Sequence, residues 1–280
     1  MSDGLISSAY LSQSFLIIWQ FFITSLHRIT NKNSAIMLKP LEYLYFIVAA
    51  LEIYSEASQN ETLRFFTKPL LMILLLAFYV QSVSGNWSKL HKFMASSMVF
   101  SWLGDVALMF VPKSTEDLSL MGIPKNPNFF LVGLAGFLVA HMLYAIAFTD
   151  VSNKTNVPIL KSKFWVAIPL LLYMVALLYK LVPAIADNPL TKPFLGPVLI
   201  YSLAIATMVA FALNRFGRVN YKSFTLVFGG ALLFMFSDSI IAINKFLSPF
   251  ETAGIFIMVL YLAGQYLIAK GALQQPKQVV

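Results

Sequence analysis

The chain is 280 residues long, 59% hydrophobic and only 11% charged, with no cysteine and a formal net charge of +8. Soluble domains carry about 25% charged residues, so this composition excludes a soluble globular enzyme and indicates a chain embedded in lipid. Missing cysteine excludes disulfides and thiolate chemistry, and the positive charge reads as basic residues flanking membrane helices, not as a nucleic-acid surface.

Residues 1–40 come first, with no charge between Leu5 and Leu26. They read as an N-terminal extension, an interfacial helix or an additional membrane helix; no basic flank or small-residue site marks a signal peptide. From residue 41 onward, apolar segments of membrane-spanning length fall at 41–57, 66–84, 92–111, 129–149, 164–181, 193–213, 222–244 and 252–270. The expected fold is all-α, a polytopic membrane protein with about eight transmembrane helices in one bundle over 41–270, followed by a cytoplasmic tail over 271–280. Thirteen of the twenty basic residues fall on the side holding the C-terminus, which places that terminus in the cytoplasm.

Polar residues inside these runs are the candidates for chemistry. Glu52, near the end of the first run, reads as reaching the interface and not as a site. Lys68-Pro69 opens the second run at the outer face, with Pro69 suited to a first helical turn; Lys68 reads either as a snorkelling cation or as one that holds a lipid phosphate or an acid. In the third run Ser97, Ser101 and Asp105 recur every four residues and make one face polar. His141 and Tyr144 share a face of the fourth. In the seventh, Gly229 and Gly230 permit close helix approach, Ser237 flanks Asp238, and Asn244-Lys245 closes the run. Tyr261 and Gln265 share a face of the eighth.

The two acids are the strongest signal. An Asp at the centre of a membrane helix costs about 2.5–3.5 kcal/mol, so it marks a functional position unless it merely joins helices by hydrogen bonds. Asp105 lies six residues before Val111 and Asp238 six before Asn244, which puts each roughly 9–10 Å below the outer helix end. The histidines, His27, His91 and His141, are far apart and form no ligand spacing, so neither a metal nor a cofactor is expected. The lipase elbow, the zincin motif and the phosphate-binding glycine loop are absent.

Five words occur in register: Lys68-Pro69-Leu70, Gly104-Asp105-Val106-Ala107-Leu108, His141-Met142-Leu143-Tyr144, Ser237-Asp238-Ser239 running to Phe246, and Tyr261-Leu262-Ala263-Gly264-Gln265. Together, over about residues 41–270, they resemble the YhhN family of transmembrane lysoplasmalogenases. The resemblance implies eight membrane helices and hydrolysis of the vinyl ether bond of a lysophospholipid-like substrate, giving a fatty aldehyde and a glycerophospho-alcohol. It puts the family's acids at Asp105 and Asp238 and its Lys-Pro word at Lys68-Pro69. Residues 1–40 have no counterpart in it.

A vinyl ether hydrolyses when an acid protonates the carbon β to oxygen and water attacks the resulting oxocarbenium ion. One protonated and one ionised carboxyl suit that sequence, with either Asp in either role. Around this catalytic pair, Lys68, His141, Tyr144, Ser237, Asn244, Tyr261 and Gln265 form the expected substrate-binding set. The competing class is a proton-coupled transporter of a small or lipid-like solute, in which the same acids relay protons. A non-catalytic lipid-binding scaffold is the third.

Overall fold

Side-chain caps fix three of the helix starts, and each of them places the start ahead of the first strongly apolar residue. In the computed structural model, residues 40–83, 87–112, 119–120 and 122–276 are described. Among them are eight helices of 18 residues or more. These are α1 (Pro40–Ala57), α2 (Glu61–Ser82), α3 (Lys89–Met109) and α4 (Phe129–Phe148). After them come α5 (Ile168–Ala186), α6 (Leu195–Leu213), α7 (Tyr221–Phe246) and α8 (Ala253–Leu273). A two-residue hairpin, β1 (Ser119–Leu120) against β2 (Ile123–Pro124), turns through Gly122 at φ 80° and joins α3 to α4. The expected extension over 1–40 lies outside the described residues, Pro40 excepted.

Asn60, Ser88 and Asn220 accept hydrogen bonds from the backbone N–H groups of Leu63, His91 and Ser223 and so cap α2, α3 and α7. The Asn60 cap corrects the reading of Lys68-Pro69. Helix α2 starts at Glu61, so Pro69 is an interior proline and not a first-turn one. Its missing N–H frees the Phe65 carbonyl, while its own carbonyl accepts from Trp102 Nε1 at 3.1 Å. A second correction concerns depth. Helix α3 stops at Met109 while α7 runs on to Phe246, so the two acids are not equally spaced from their helix ends. Helix α8 likewise continues to Leu273, into the expected tail.

Six of the eight, α2 and α4 to α8, are long and apolar enough to cross a membrane, counting the 3-10 turns that lead into α5 and α6. The protein is thus nearly all helix and a multi-pass integral membrane protein. Helices α1 and α3 carry more charge: Glu42, Glu52 and Glu56 on one, Lys89, Lys92 and Asp105 on the other. Of those acids, Glu42, Glu52 and Asp105 are buried and face inward.

The tightest pairs are α7 with α8 and α3 with α4. Glycine makes them possible. A Cβ on Gly230 would stand 2.7 Å from the Gly264 carbonyl, and one on Gly136 would stand 3.0 Å from the Gly104 nitrogen. Gly229, its neighbour, faces open space and plays no part in this approach. Helix α6 packs on α4 and α7, and α5 leans on α6 and α7 at the periphery. Only Met174, Leu181 and Ile185 of α5 are buried, while Leu171, Leu172, Val175 and Tyr179 are exposed, as a lipid-facing helix requires.

At the end of the bundle bearing the 214–220 turn, a buried arginine gathers three segments. Arg215 Nη2 donates to Ser223 Oγ at 3.0 Å and to Gln275 Oε1 at 2.7 Å, and the guanidinium lies over the Phe148 ring. Burial pushes the Arg215 pKa down to about 10, against the opposing field of Asp150, so it stays charged at neutral pH.

Candidate functional site

Asp238 sits on α7 where α4 and α6 converge. Its Oδ2 accepts the Tyr201 hydroxyl at 2.5 Å and lies 3.1 Å from His141 Nε2. His141 Nε2 is also 2.9 Å from the Tyr201 oxygen, and its Nδ1 is 3.3 Å from Met208 Sδ. Three helices thus close a triangle of carboxyl, phenol and imidazole. Both partners engage the same oxygen, and the carboxyl is 9% exposed.

Asp105 sits in a separate niche between α3 and α8. Its Oδ2 accepts the Tyr261 hydroxyl at 2.5 Å. One helical turn away, Gln265 donates to Ser101 Oγ at 3.0 Å and accepts the Tyr144 hydroxyl at 2.5 Å. The polar face of α3 is therefore fully inside: Ser97 and Ser101 have no exposure, and Asp105 has 4%. Rings stand between the two acids. Tyr261 packs on Phe137 and Phe234, and Phe234 packs on His141 with centroids 4.7 Å apart. The fields of Lys68, Glu52 and Asp238 nevertheless all reach Asp105.

Two cavities meet at this site. A wide polar mouth of about 1020 Å³ lies where α1, α3 and α7 end and α2, α4 and α8 begin, lined by Arg64, Lys68, Asn244, Lys245, Glu56, Glu61 and Glu251 among others. A narrow apolar pocket of about 60 Å³ runs between α4, α5, α6 and α7. Its apolar lining includes Leu134, Phe137, Met174, Leu177, Leu181 and Ile205, and its polar lining is Tyr201, Asp238 and the serines Ser202 and Ser239. Leu108, Phe130 and Ile241 line both, so the pocket opens beside the mouth. Asp105 lines neither of these two cavities.

Charge in the mouth is unevenly matched. Arg64 pairs with Glu56 at 3.0 Å and with Glu61 at 3.2 Å, and Lys125 pairs with Glu61 at 2.9 Å. Lys68 and Lys245 form no salt bridge among the described residues. Lys68 acts at longer range on Glu52 and Asp105.

Of the expected residues, His141 joins Asp238 and Tyr261 joins Asp105, while Tyr144 and Gln265 bond to each other behind them. Lys68 and Asn244 line the mouth, where Asn244 Oδ1 also accepts the Phe250 N–H at 3.0 Å and fixes the turn after α7. Ser237 stands apart. It donates to the Ile257 carbonyl at 3.0 Å and ties α7 to α8. Tyr201 has no place in the expected set, because one tyrosine in an apolar run looks like any lipid-facing ring. Glu52 corrects the sequence reading outright: it has no exposure, accepts Thr67 Oγ1 at 2.5 Å, and its Oε1 is buried without a hydrogen bond.

The YhhN family model matches residues 63–272 of the chain. Lysoplasmalogenase TMEM86B of Sus scrofa is 34% identical over 151 residues, 54% of this chain and 57% of that protein. Lysoplasmalogenase TMEM86B of Homo sapiens is 28% identical over 208 residues, 74% of each. Lysoplasmalogenase TMEM86A of Bos taurus is 30% identical over 187 residues, 65% of each. The match therefore covers less than two thirds of the pig and bovine proteins. No solved structure matches the chain.

Proposed function

Since the chain belongs to the YhhN family, we propose that it is an integral membrane hydrolase resembling its lysoplasmalogenase relatives, cleaving the vinyl ether bond of a lysoplasmalogen to a fatty aldehyde and a glycerophospho-alcohol. The observation that carries this reading is a carboxyl lining an apolar pocket that adjoins a polar, cation-bearing mouth. A single-chain lipid has that same division into tail and headgroup.

The helices α1 and α3 cross the membrane with the other six in this reading, and the C-terminus is cytoplasmic, as the basic-residue bias requires. The tail occupies the pocket between α4, α5, α6 and α7, and the headgroup stays in the mouth near Lys68. The vinyl ether then lies at the junction, beside Asp238.

Asp238 is the acid that meets substrate. Its Oδ1 delivers a proton to the carbon β to the ether oxygen, and the C=C π pair forms the new C–H bond. Tyr201 and His141 hold Oδ2, so the carboxylate left behind stays fixed beside the oxocarbenium ion and stabilises it. Water adds to that cation and returns its proton to Asp238. The hemiacetal then collapses to aldehyde and glycerophospho-alcohol. Asp105 acts as a positioning residue: it holds Tyr261, whose ring packs on Phe234 and through it on the His141 that engages Asp238.

Fatty-aldehyde release by purified protein from lysoplasmenyl-ethanolamine and lysoplasmenyl-choline tests the reading. Wild type should release aldehyde; Asp238→Asn should release none, and Asp105→Asn much less than wild type. Wild-type rates from both single variants would overturn it.

One observation favours a second reading. Buried Glu52, with an oxygen that lacks a hydrogen bond, joins Asp105, Asp238 and Glu42 inside the bundle. A chain of acids suits a proton-coupled transporter of a small or lipid-like solute. Uptake into sealed vesicles that collapses with the proton gradient would favour the transporter, whereas the hydrolase needs no gradient.

A further inference from the structure

The seam between mouth and pocket carries a cation that the family words leave without a role. Lys245 ends α7, and its Nζ lies 4.3 Å from the centroid of Phe130, 5.7 Å from that of Phe194 and 5.9 Å from that of Phe246. Phe130 and Phe246 are also walls of the apolar pocket, while Lys245 itself lines the mouth. One ammonium thus stands where the greasy and the polar spaces meet.

Its surroundings suit an incoming anion. Ring faces hold the ammonium without neutralising it, and no carboxylate pairs with it among the described residues. Of the mouth's carboxylates, Glu56 and Glu61 are engaged by Arg64 and Lys125, and Glu251 forms no salt bridge with Lys245. The turn after α7 is pinned by the Phe250 N–H on Asn244, so the stem of Lys245 rises from a fixed base. A lysine standing on the last helical turn also faces the carbonyl end of the helix dipole.

We propose that Lys245 is the phosphate-binding cation of a site for single-chain phospholipids, holding the headgroup phosphate at the mouth while the tail enters the pocket. This rests on the reading that the pocket takes the lipid tail, but not on any cleavage of the lipid. Lys68 lines the same mouth, and Lys245 supplies the preference for a phosphate-bearing headgroup.

Binding of non-cleavable lipids to the purified full chain in detergent tests it. The probes are 1-O-hexadecyl-glycerophosphocholine, the phosphate-free 1-O-hexadecylglycerol and the tail-free glycerophosphocholine, each run against wild type, Lys245→Gln, Lys245→Arg and Lys68→Gln. Wild type should prefer the phospholipid to the phosphate-free ether by about tenfold or more. Lys245→Gln should erase that preference by weakening only the phospholipid, and Lys245→Arg should restore it. Glycerophosphocholine should bind far more weakly than the phospholipid; equal binding would make this a free phosphate-ester site and overturn the lipid assignment. A preference that survives Lys245→Gln, or disappears only in Lys68→Gln, would overturn the role of Lys245, as would a wild type with no preference. Retention of 1-O-hexadecylglycerol binding by Lys245→Gln shows that the variant is folded. Aldehyde release is scored separately: headgroup preference without aldehyde counts against the hydrolase alone, and aldehyde without preference counts against Lys245 alone.

Discussion

At Asp238 two side chains from different helices share one carboxylate oxygen, and the proposed chemistry depends on both. A hydrogen bond to a charged group is worth about 1.5–3 kcal/mol, so Tyr201→Phe should lower kcat by about 10- to 100-fold with KM little changed. Steady-state aldehyde release measures this directly, and an unchanged kcat would remove Tyr201 from the mechanism. The acids themselves were legible in the sequence, because a charge inside an apolar run stands out. Tyr201 was not: in Leu199-Ile200-Tyr201-Ser202 nothing separates a buried phenol from one anchoring a helix in lipid, and only the convergence of α4, α6 and α7 does so. Glu52 was misread for a related reason. It lies near a helix end, where acids usually reach water, but Thr67 on α2 and Ser55 on its own helix draw it inward.

Helices were the most legible level, since apolar runs of this length have few alternatives, and each of the eight runs holds one long helix. Their starts were less so. Polar caps such as Asn60 and Asn220 lie upstream of the hydrophobic signal, and missing the first of them turned Pro69 into a helix opener. Which glycine serves a contact also needs the partner helix. Gly229 and Gly230 look alike in sequence, yet one faces open space and the other meets the Gly264 carbonyl. Gly230→Val should therefore lower stability by about 1–3 kcal/mol through overpacking, whereas Gly229→Ala should leave it unchanged or raise it by up to about 1 kcal/mol. Thermal unfolding in detergent distinguishes them, and equal shifts would contradict the packing of α7 on α8.

The molecule as a whole is held at one end by Arg215, which joins the turn before α7 to α7 itself and to the chain after α8. Replacing it with Met removes the charge but leaves Gln275 without that donor. The loss should be about 1–3 kcal/mol, the cost of leaving a buried acceptor unsatisfied, and should register as a lower Tm and faster proteolysis near residue 275. Orientation is a second property of the whole chain: a reporter fused after Val280 should be active only where the cytoplasm is. The thin packing of α5 bears on product release. One wall of the apolar pocket belongs to a helix with three buried residues and an otherwise lipid-bathed surface. On the proposed reaction, a fatty aldehyde freed there can pass sideways into the bilayer, while the glycerophospho-alcohol leaves through the mouth into water. The two products then depart into different phases. The water-soluble one, returning by the mouth, should compete with substrate, and the aldehyde, diluted in lipid, should not.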